Sequence, residues 1–338
     1  MPETVLVTGG TGYVAGWCIV ELLRRGFAVR TTVRSPSKEQ LVRAAVAAAG
    51  ESSDRLTFFV ADLTRDEGWD DAVAGCDYVL HVASPLGGGA PGEPNGLIVP
   101  ARDGTLRVLR AATNAGIKRV IMTSAAAAAR PPRRSDRVSD ETVWSNPADR
   151  KWDAYRLSKI LAERAAWDFM ADNTGPTELA TILPGAVFGP LLTKDRLGSV
   201  QIIHRLLQGR PPRIPRLGFW VVDVRDLADL HVRAMTSSEA AGQRFICAGE
   251  FMWMKDIAAS LRSQLVGRAG KVPTRTLPDI AVRFLSLFSP SLRWFTPELG
   301  RRNSLTSEKA RRVLGFSPRP AATTILDCAE SLLSGDAP

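Results

Sequence analysis

The sequence predicts an α/β fold, in which a doubly wound parallel sheet is followed by a smaller C-terminal α/β domain. The first half alternates short β-rich runs with helical patterns, which is typical of parallel sheets. The first apolar run, Thr4–Thr8, leads directly into a glycine-rich turn and a helix over Gly12–Arg25. After Pro184 proline and arginine become frequent and the helical segments shorten, which indicates a second domain.

The periodicity of apolar residues and the local residue composition predict the order of the strands and helices in the first half. The predicted strands are Thr4–Thr8, Ala28–Val33, Leu56–Ala61, Tyr78–Val82, Val120–Ser124 and Ala180–Leu183. The predicted helices between them are Gly12–Arg25, Ser37–Ala49, Asn95–Ala115 and Asp153–Asp172.

The second half predicts a smaller domain that packs directly on the first. A strand and a helix, Val221–Val224 and Asp226–Met235, are expected to return to the main sheet, and Phe245–Ala248 is a further short strand. Met252–Val266 and Ser304–Leu314 are predicted helices of the smaller domain. We therefore assign 1–190, with 221–240, to the main domain, and 191–220 and 241–338 to the smaller one.

Composition excludes several classes of protein. The chain has 338 residues, 45% of them hydrophobic, and lacks an apolar run of the ~20 residues that a membrane helix requires. Its net charge of +9 comes from scattered arginines rather than from a basic stripe with interleaved aromatic residues, so we expect no nucleic-acid partner. Four cysteines and three histidines lack the spacing of metal ligands or disulfides, and we expect a metal-free cytoplasmic protein.

The turn after the first strand carries the most specific motif of the chain. In Val5–Gly16, Gly9 permits the tight turn and Gly12 allows close approach of a pyrophosphate to the backbone. The free N–H groups and the helix dipole would then face the phosphates. The motif predicts a Rossmann-type dinucleotide-binding domain, with Gly9, Thr11, Gly12, Tyr13 and Val14 at the cofactor.

The end of the second strand indicates which dinucleotide binds. An acidic residue there would bind the ribose hydroxyls of NAD, whereas an arginine accommodates the 2′-phosphate of NADP. The sequence has Arg34 at this point and Lys38 beyond it, with no acidic residue between them. NADP(H) is therefore favoured over NAD(H).

Tyr155 and Lys159 form the candidate catalytic pair. Their i, i+4 spacing on the predicted helix places both side chains on one face. A phenol with a pKa near 10 is a poor acid at neutral pH, and a neighbouring ammonium would lower this pKa. Lys159 would also hydrogen-bond the nicotinamide ribose.

These segments together resemble the extended short-chain dehydrogenase/reductase family within the NAD-dependent epimerase/dehydratase superfamily. The likeness is greatest to the branch of dihydroflavonol, cinnamoyl-CoA and aldehyde reductases. It covers nearly the whole chain, and its motifs are TGGTGYVAG (8–16), TVRSP (32–36), ADL (61–63), HVASP (81–85), DETVWSNP (140–147), YRLSKILAERAAWDF (155–169), LPGAVFGP (183–190), VVDVRDLADLHVRAM (221–235) and SEKARRVLGF (307–316).

The resemblance implies further cofactor contacts. Asp62 and Leu63 would flank the adenine, and Val82, Ala83 and Ser84 would run beside the ribose. Pro184, Gly185 and Val187 would pass the nicotinamide, and Thr123 would also contact the cofactor. Arg34, Tyr155 and Lys159 match the family's arginine and catalytic pair. Homodimers built through two helices per subunit are common in the family.

One position departs from the family pattern. The family has Thr-Ser-Ser at the end of the fifth strand, and its second serine orients the substrate carbonyl, whereas this chain has Thr123-Ser124-Ala125. Ala125 cannot donate a hydrogen bond, which leaves Ser124, Thr123 or a water to replace that serine. Ser124 is therefore included as a catalytic candidate.

The predicted function is NADPH-dependent reduction of a hydrophobic or aromatic aldehyde or ketone. A set of apolar residues, which would equally suit a core, could line the substrate pocket: Phe188, Leu191, Leu192, Ile202, Ile203, Leu206, Phe219 and Trp220. Two alternatives stay open. One is a nucleotide-sugar epimerase or dehydratase on the same scaffold, and the other is a non-catalytic NADP(H)-binding sensor.

Overall fold

The strands of the main sheet are mostly apolar because helices cover both of its faces. On β1, Val5 and Val7 pack with the helices of one face, whereas Leu6 between them packs with those of the other. The computed structural model describes residues 2–85, 95–132, 135–148, 152–193, 198–288 and 296–335.

The structure defines the bounds of the elements. The strands are β1 (Thr4–Val7), β2 (Ala28–Val33), β3 (Leu56–Val60), β4 (Tyr78–His81), β5 (Arg119–Thr123), β6 (Glu178–Pro184), β7 (Ala186–Phe188), β8 (Ile214–Pro215), β9 (Gly218–Asp223), β10 (Arg244–Cys247), β11 (Phe251–Trp253) and β12 (Thr276–Leu277). The helices are α1 (Tyr13–Arg24), α2 (Glu39–Ala48), α3 (Trp69–Val73), α4 (Asn95–Asn114), α5 (Ala154–Ala171), α6 (Val200–Leu207), α7 (Val224–Thr236), α8 (Met254–Gln264), α9 (Asp279–Phe288), α10 (Glu308–Leu314) and α11 (Ala321–Gly335).

Seven parallel strands form the main sheet in the order β10-β6-β5-β4-β1-β2-β3. The reversal of strand order between β1 and β4 opens a crevice at the carboxyl edge of the sheet, where open α/β folds bind their ligands. Helices α1, α2 and α7 cover one face, and α3, α4 and α5 cover the other. The predicted Rossmann-type fold is confirmed, and all six strands predicted in the first half are present.

Two small sheets lie outside the main one. β9 lies between β7 and β11 in a three-stranded sheet, and β8 pairs with β12. Helices α6, α8 and α11 pack on these strands around a separate core that includes Ile203, Ile257 and Ile325.

Three segments differ from the sequence prediction. One is the helix expected in the smaller domain at Ser304–Leu314, which is α10 and packs on the core of the main sheet through Ala310 and Leu314. The strand expected at Val221–Val224 belongs to β9 and the three-stranded sheet, and only the following helix, α7, packs on the main sheet. β10, which we expected in the smaller domain, instead pairs with β6 at the edge of the main sheet. Its four residues are buried, and a buried run this short does not reveal in the sequence which sheet it joins.

Candidate active site

The glycine turn joins β1 to the N-terminus of α1. Gly9 has a φ of +73°, and a Cβ at this position would lie 3.0 Å from Cβ of Ala83, so a side chain would collide with the end of β4. Gly12 is the N-cap of α1, and the first turn of this helix contains no acidic residue. The positive end of the helix dipole therefore faces the crevice without a carboxylate to compete with a phosphate.

The other predicted residues of the turn lie around this N-terminus. Thr11 is half-buried within the turn. The Tyr13 hydroxyl donates a hydrogen bond to the carbonyl of Gly189 at 2.9 Å, outside the glycine turn. Val14 packs on the main core. Tyr13 thus holds the start of α1 against the loop that follows β7.

A chain of hydrogen bonds fixes the segment after β4. The Thr105 hydroxyl donates to the Ala101 carbonyl, so it accepts from Nε2 of His81, and Nδ1 of His81 accepts from Thr8. The Thr8 hydroxyl in turn accepts from the backbone N–H groups of Val82 and Ala83, at 3.1 and 3.0 Å. This network places Val82, Ala83 and half-buried Ser84 beside the glycine turn.

The His81 ring is a structural member of this network. It is fully buried, and burial lowers its pKa to about 3, with a smaller contribution from the charge of Lys159. The ring is therefore neutral at physiological pH, and both nitrogens are occupied.

Arg34 and Lys38 are exposed at the carboxyl end of β2. Asp62 lies at the end of the neighbouring strand β3, where hydrogen bonds from Thr64 lower its pKa most and the charge of Arg34 contributes further. Within the described part of the chain neither Arg34 nor Lys38 forms an ion pair. Both cations therefore remain available for an anionic group such as a 2′-phosphate.

Leu63, next to Asp62, is held against α4. A Cβ at Gly104 would come within 2.6 Å of Cβ of Leu63, and Arg107 donates to the Leu63 carbonyl at 2.9 Å. The close contact with α4 fixes the backbone at 62 and 63 at the edge of the crevice.

The candidate catalytic pair lies on the first two turns of α5. Asp153 caps this helix by accepting from the backbone N–H of Arg156 at 2.8 Å. Tyr155 is 39% exposed, whereas Lys159 is only 5% exposed and donates from Nζ to the carbonyl oxygen of Thr123 at 3.0 Å. The phenol is therefore accessible to solvent on a helix whose lysine is anchored on β5.

The pKa of Tyr155 differs from the expectation that the neighbouring Lys159 lowers it. Partial burial raises the pKa of Tyr155, Asp153 raises it further, and Arg156 opposes both. Burial lowers the pKa of Lys159 to about 8, while the carboxylate of Glu163 opposes this effect. Near neutral pH Tyr155 is therefore protonated and Lys159 is mostly charged, which suits a proton donor with a cation beside it.

The three residues at the end of β5 have different surroundings. Thr123 bonds Nε2 of His231 at 2.7 Å, and Nδ1 of His231 donates to the Leu227 carbonyl at 2.7 Å. Burial lowers the pKa of His231 to about 4, so this ring is neutral, its proton lies on Nδ1, and Thr123 is the donor. Ala125 is half-buried with an extended backbone.

Ser124 is only 2% exposed, and its hydroxyl donates to Oε2 of Glu163 at 2.5 Å. The structure thus places this catalytic candidate in a buried polar network. Sequence reasoning missed Glu163, although its i+4 spacing from Lys159 was a signal that could have identified it.

The opposite wall of the crevice follows β6. Pro184 is buried, and Gly185 is required because a Cβ there would lie 2.3 Å from the carbonyl oxygen of Trp220. Val187 packs on the main core. Trp220 itself donates to the carbonyl of Asn303 at 2.8 Å and contacts the edge of Phe251, with ring centroids 5.6 Å apart.

The apolar residues that we expected near the substrate fall into two groups. Phe188, Ile203 and Leu206 are fully buried in the core of the smaller domain. The others are partly buried, and they are Leu191, Leu192, Ile202, Phe219 and Trp220.

The described residues contain no group of three or more His, Cys, Asp or Glu side chains that could hold a metal ion. None of their helices combines the length and the apolarity that crossing a bilayer requires.

Comparison with known proteins agrees with this geometry. Residues 5–248 match the model of the NAD dependent epimerase/dehydratase family. The chain is 38% identical to cinnamoyl-CoA reductase CAD2 from Medicago truncatula over 250 residues, which cover 71% of this chain and 74% of the relative. It is 30% identical to the ketoreductase azaE from Aspergillus niger over 98% of each chain.

A solved structure has the same fold over the full length. The yeast methylglyoxal/isovaleraldehyde reductase Gre2, solved with NADPH, superposes with a TM-score of 0.82 at 25% identity over 99% of each chain. The chain therefore belongs to the NAD dependent epimerase/dehydratase family, as a member of the extended short-chain dehydrogenases/reductases.

Proposed function

We propose that this protein uses NADPH to reduce a hydrophobic or aromatic aldehyde or ketone to the alcohol, with Tyr155 as the general acid. The observation that carries the proposal is the position of Tyr155, exposed on α5 one turn before Lys159, which is anchored on the end of β5. The solved relative was crystallised with NADPH, and the sequence relatives are named as reductases of carbonyl compounds.

The residues of the crevice fit NADP(H). The N-terminus of α1, which begins after Gly12, presents the positive end of the helix dipole and no acidic residue to a pyrophosphate. Arg34 and Lys38 supply positive charge for a 2′-phosphate, and Asp62 and Leu63 form the edge where an adenine would lie. When bound, NADPH supplies the hydride for the carbonyl carbon.

The chain's own residues supply the proton and the alignment. The Tyr155 hydroxyl donates a hydrogen bond to the carbonyl oxygen and transfers its proton as negative charge develops there. The Lys159 ammonium stabilises the phenolate that remains, and its N–H groups beyond the one on Thr123 can bond a ribose hydroxyl. Because Tyr155 is 39% exposed, the phenolate regains a proton from solvent.

The aromatic side chains of the small sheet favour a hydrophobic substrate. Trp220 on β9 and Phe251 and Trp253 on β11 form a chain of edge-to-face contacts. They belong to the sheet that adjoins Gly185, and their half-buried rings would pack against an apolar or aromatic group.

The test is NADPH oxidation by the purified protein with a panel of aromatic and aliphatic aldehydes and ketones. Turnover that increases with the apolar surface of the substrate supports the proposal. NADPH binding without turnover of any compound would favour the sensor, which Ala125 also favours. Tightly retained NAD⁺ in the purified protein would favour an epimerase or dehydratase.

A further inference from the structure

Glu163 is a fully buried carboxylate on α5, one helical turn beyond Lys159. Its two oxygens accept hydrogen bonds from two strands of the main sheet, β6 and β10, and from the residue that follows β5. Oε2 accepts from Ser124 at the end of β5, at 2.5 Å. Oε1 accepts from the Thr181 hydroxyl on β6 at 2.9 Å and from Nε of Arg244 on β10 at 2.8 Å. Both oxygens of the carboxylate are therefore engaged.

Arg244 holds this carboxylate in place from the far side. Its remaining nitrogens donate to the carbonyls of Glu141, Val143 and Ala128, and the guanidinium lies 3.7 Å from the ring centroid of Trp144. A guanidinium bonded in this way has no freedom to turn to another acid. The position of Glu163 is thus fixed from the strands.

Two contacts attach α5 to consecutive residues, the last residue of β5 and the one that follows it. Lys159 donates to the Thr123 carbonyl, and one turn later Glu163 accepts from Ser124. Two attachments on one face, four residues apart, resist rotation of the helix about its axis. Tyr155 lies one turn earlier on the same face, so this attachment also sets the direction of the phenol.

The charges around Lys159 come from few groups. On its own helix the acting charge is Glu163, on β4 the nearby His81 is neutral, and Arg244 is ion-paired with Glu163. Among the described residues Glu163 is the acid that acts on the Lys159 ammonium. A buried cation without such a partner tends to lose its proton.

We propose that Glu163 is a positioning residue for the catalytic pair: its bond to Ser124, one helical turn beyond the Lys159–Thr123 bond, fixes the rotation of α5 and holds a carboxylate one turn from the Lys159 ammonium. The proposal rests on the proposed role of Tyr155 and Lys159. It assigns Ser124 to the support of the helix rather than to the substrate carbonyl.

The first test is the pH profile of kcat in Glu163→Gln. The amide keeps the shape of the side chain but removes the charge, so the pKa of Lys159 should fall further below about 8. The loss of activity on the alkaline side should then begin about one pH unit lower, from the size of a Coulomb interaction over one helical turn. The KM for NADPH should change less than about twofold, since Glu163 is remote from the glycine turn.

Two matched variants distinguish the effect of the Glu163 charge from that of its hydrogen bond to Ser124. Glu163→Asp keeps the carboxylate charge, so the alkaline limb should stay in place while kcat falls at every pH. Ser124→Ala removes the attachment and keeps Glu163, so it should also lower kcat uniformly without moving the limb. If Glu163→Gln lowers kcat equally at all pH values, with an unmoved limb, the carboxylate is merely structural and the proposal is wrong.

A second readout does not depend on turnover. NMR titration of ¹³C-labelled lysine side chains, with the Lys159 signal assigned by Lys159→Arg, measures the pKa of Lys159 directly. The wild type should titrate at about 8, and Glu163→Gln should titrate lower. An unchanged midpoint overturns the proposal even if no carbonyl substrate is found. A shifted midpoint without turnover of any carbonyl compound would contradict only the proposed function.

Glu163→Gln removes the ion-pair partner of Arg244, and a second sample is needed where this loss prevents folding. The double variant Glu163→Gln/Arg244→Gln removes both charges together and is the alternative sample for the same titration. Because Glu163, and not Arg244, is the charge that acts appreciably on Lys159, the loss of its attraction outweighs the loss of repulsion from Arg244. The Lys159 midpoint should therefore still fall, and a midpoint that stays or rises contradicts the proposal.

Discussion

Lys159 donates from Nζ to the backbone carbonyl oxygen of Thr123 at 3.0 Å, and this bond joins α5 to the carboxyl end of β5. The contact places the candidate proton donor, Tyr155, at the edge of the sheet where the glycine turn and the end of β4 also meet. Since the acceptor is a main-chain atom, the anchor does not depend on the side chain at position 123. The Thr123 hydroxyl is free to bond His231 on the opposite face of the sheet.

Removal of the phenolic hydroxyl is the most direct test of the active site. Tyr155→Phe should lower kcat for carbonyl reduction by about 10²–10⁴, because it removes the general acid, while the Kd for NADPH stays within about twofold. Initial rates of NADPH oxidation and fluorescence titration with NADPH measure the two quantities.

Tyr78→Phe is the matched control for this substitution. Tyr78 lies at the start of β4, at the end of the strand away from the crevice, so its variant should keep wild-type rates. Undiminished reduction by Tyr155→Phe would reject the proposed mechanism.

Ala125 offers a gain-of-function test. By the resemblance of the sequence motifs, Ala125 matches the second serine of the family's Thr-Ser-Ser. The hydroxyl of the neighbouring Ser124 is bonded to Glu163. Ala125→Ser should add a donor beside the carbonyl oxygen and raise kcat by about tenfold or more, since one such donor contributes up to about 10²–10³ elsewhere.

Ala126→Ser adds the same hydroxyl one residue later and serves as the control, with no expected gain. Both residues are half-buried, so neither substitution should disturb the core. Equal kcat values for Ala125→Ser and the wild type would mean that another group orients the carbonyl.

Local patterns were enough to predict the strands of the first half and the glycine turn, whereas the individual cofactor contacts remain predictions. The glycine turn, the apolar strand before it and the i, i+4 pair on α5 all lie within short stretches of sequence, and their periods are visible there. The site contacts that the sequence did not reveal are long-range. Glu163 and Arg244 are 81 residues apart, and Thr123 and His231 are 108 apart.

The second half was predicted less well for a related physical reason. β9 and β10 are both short apolar strands, and such strands show no period that tells one sheet from another. Only pairing decides that β10 extends the main sheet while β9 lies between β7 and β11.

Two buried histidines predict an acid-sensitive fold. Burial lowers the pKa of His81 to about 3 and that of His231 to about 4, whereas an unfolded histidine titrates near 6.5. As pH falls below about 6.5 the unfolded chain takes up protons that the folded chain does not. The free energy of unfolding should therefore decrease, by about 1.4 kcal/mol per pH unit for each histidine, until the pH approaches the folded pKa values.

The contribution of one histidine can be isolated by substitution. His231→Asn replaces the ring by a group that does not titrate and retains a donor near the Leu227 carbonyl. Denaturant unfolding at several pH values between about 6.5 and 4.5 should show a slope that is smaller by about one proton than in the wild type. Other groups, such as Asp226 with its raised pKa, act in both proteins and cancel in the difference. Identical slopes would show that His231 is protonated in the fold.

The choice of coenzyme should depend on Arg34. It is exposed at the end of β2, and its charge acts on Asp62 at the end of β3, which places it where the 2′-phosphate of NADP would lie. A charge-assisted hydrogen bond contributes about 1.5–3 kcal/mol, so Arg34→Ala should weaken NADPH binding by about 10- to 100-fold. NADH has no phosphate at this position, and its affinity should change little.

Arg268→Ala is the control, since it removes an exposed arginine from the loop after α8 and should leave both affinities unchanged. Fluorescence titration of each variant with both coenzymes measures the ratio, and an equal loss for NADPH and NADH would place the phosphate elsewhere, with Lys38 as the next residue to substitute.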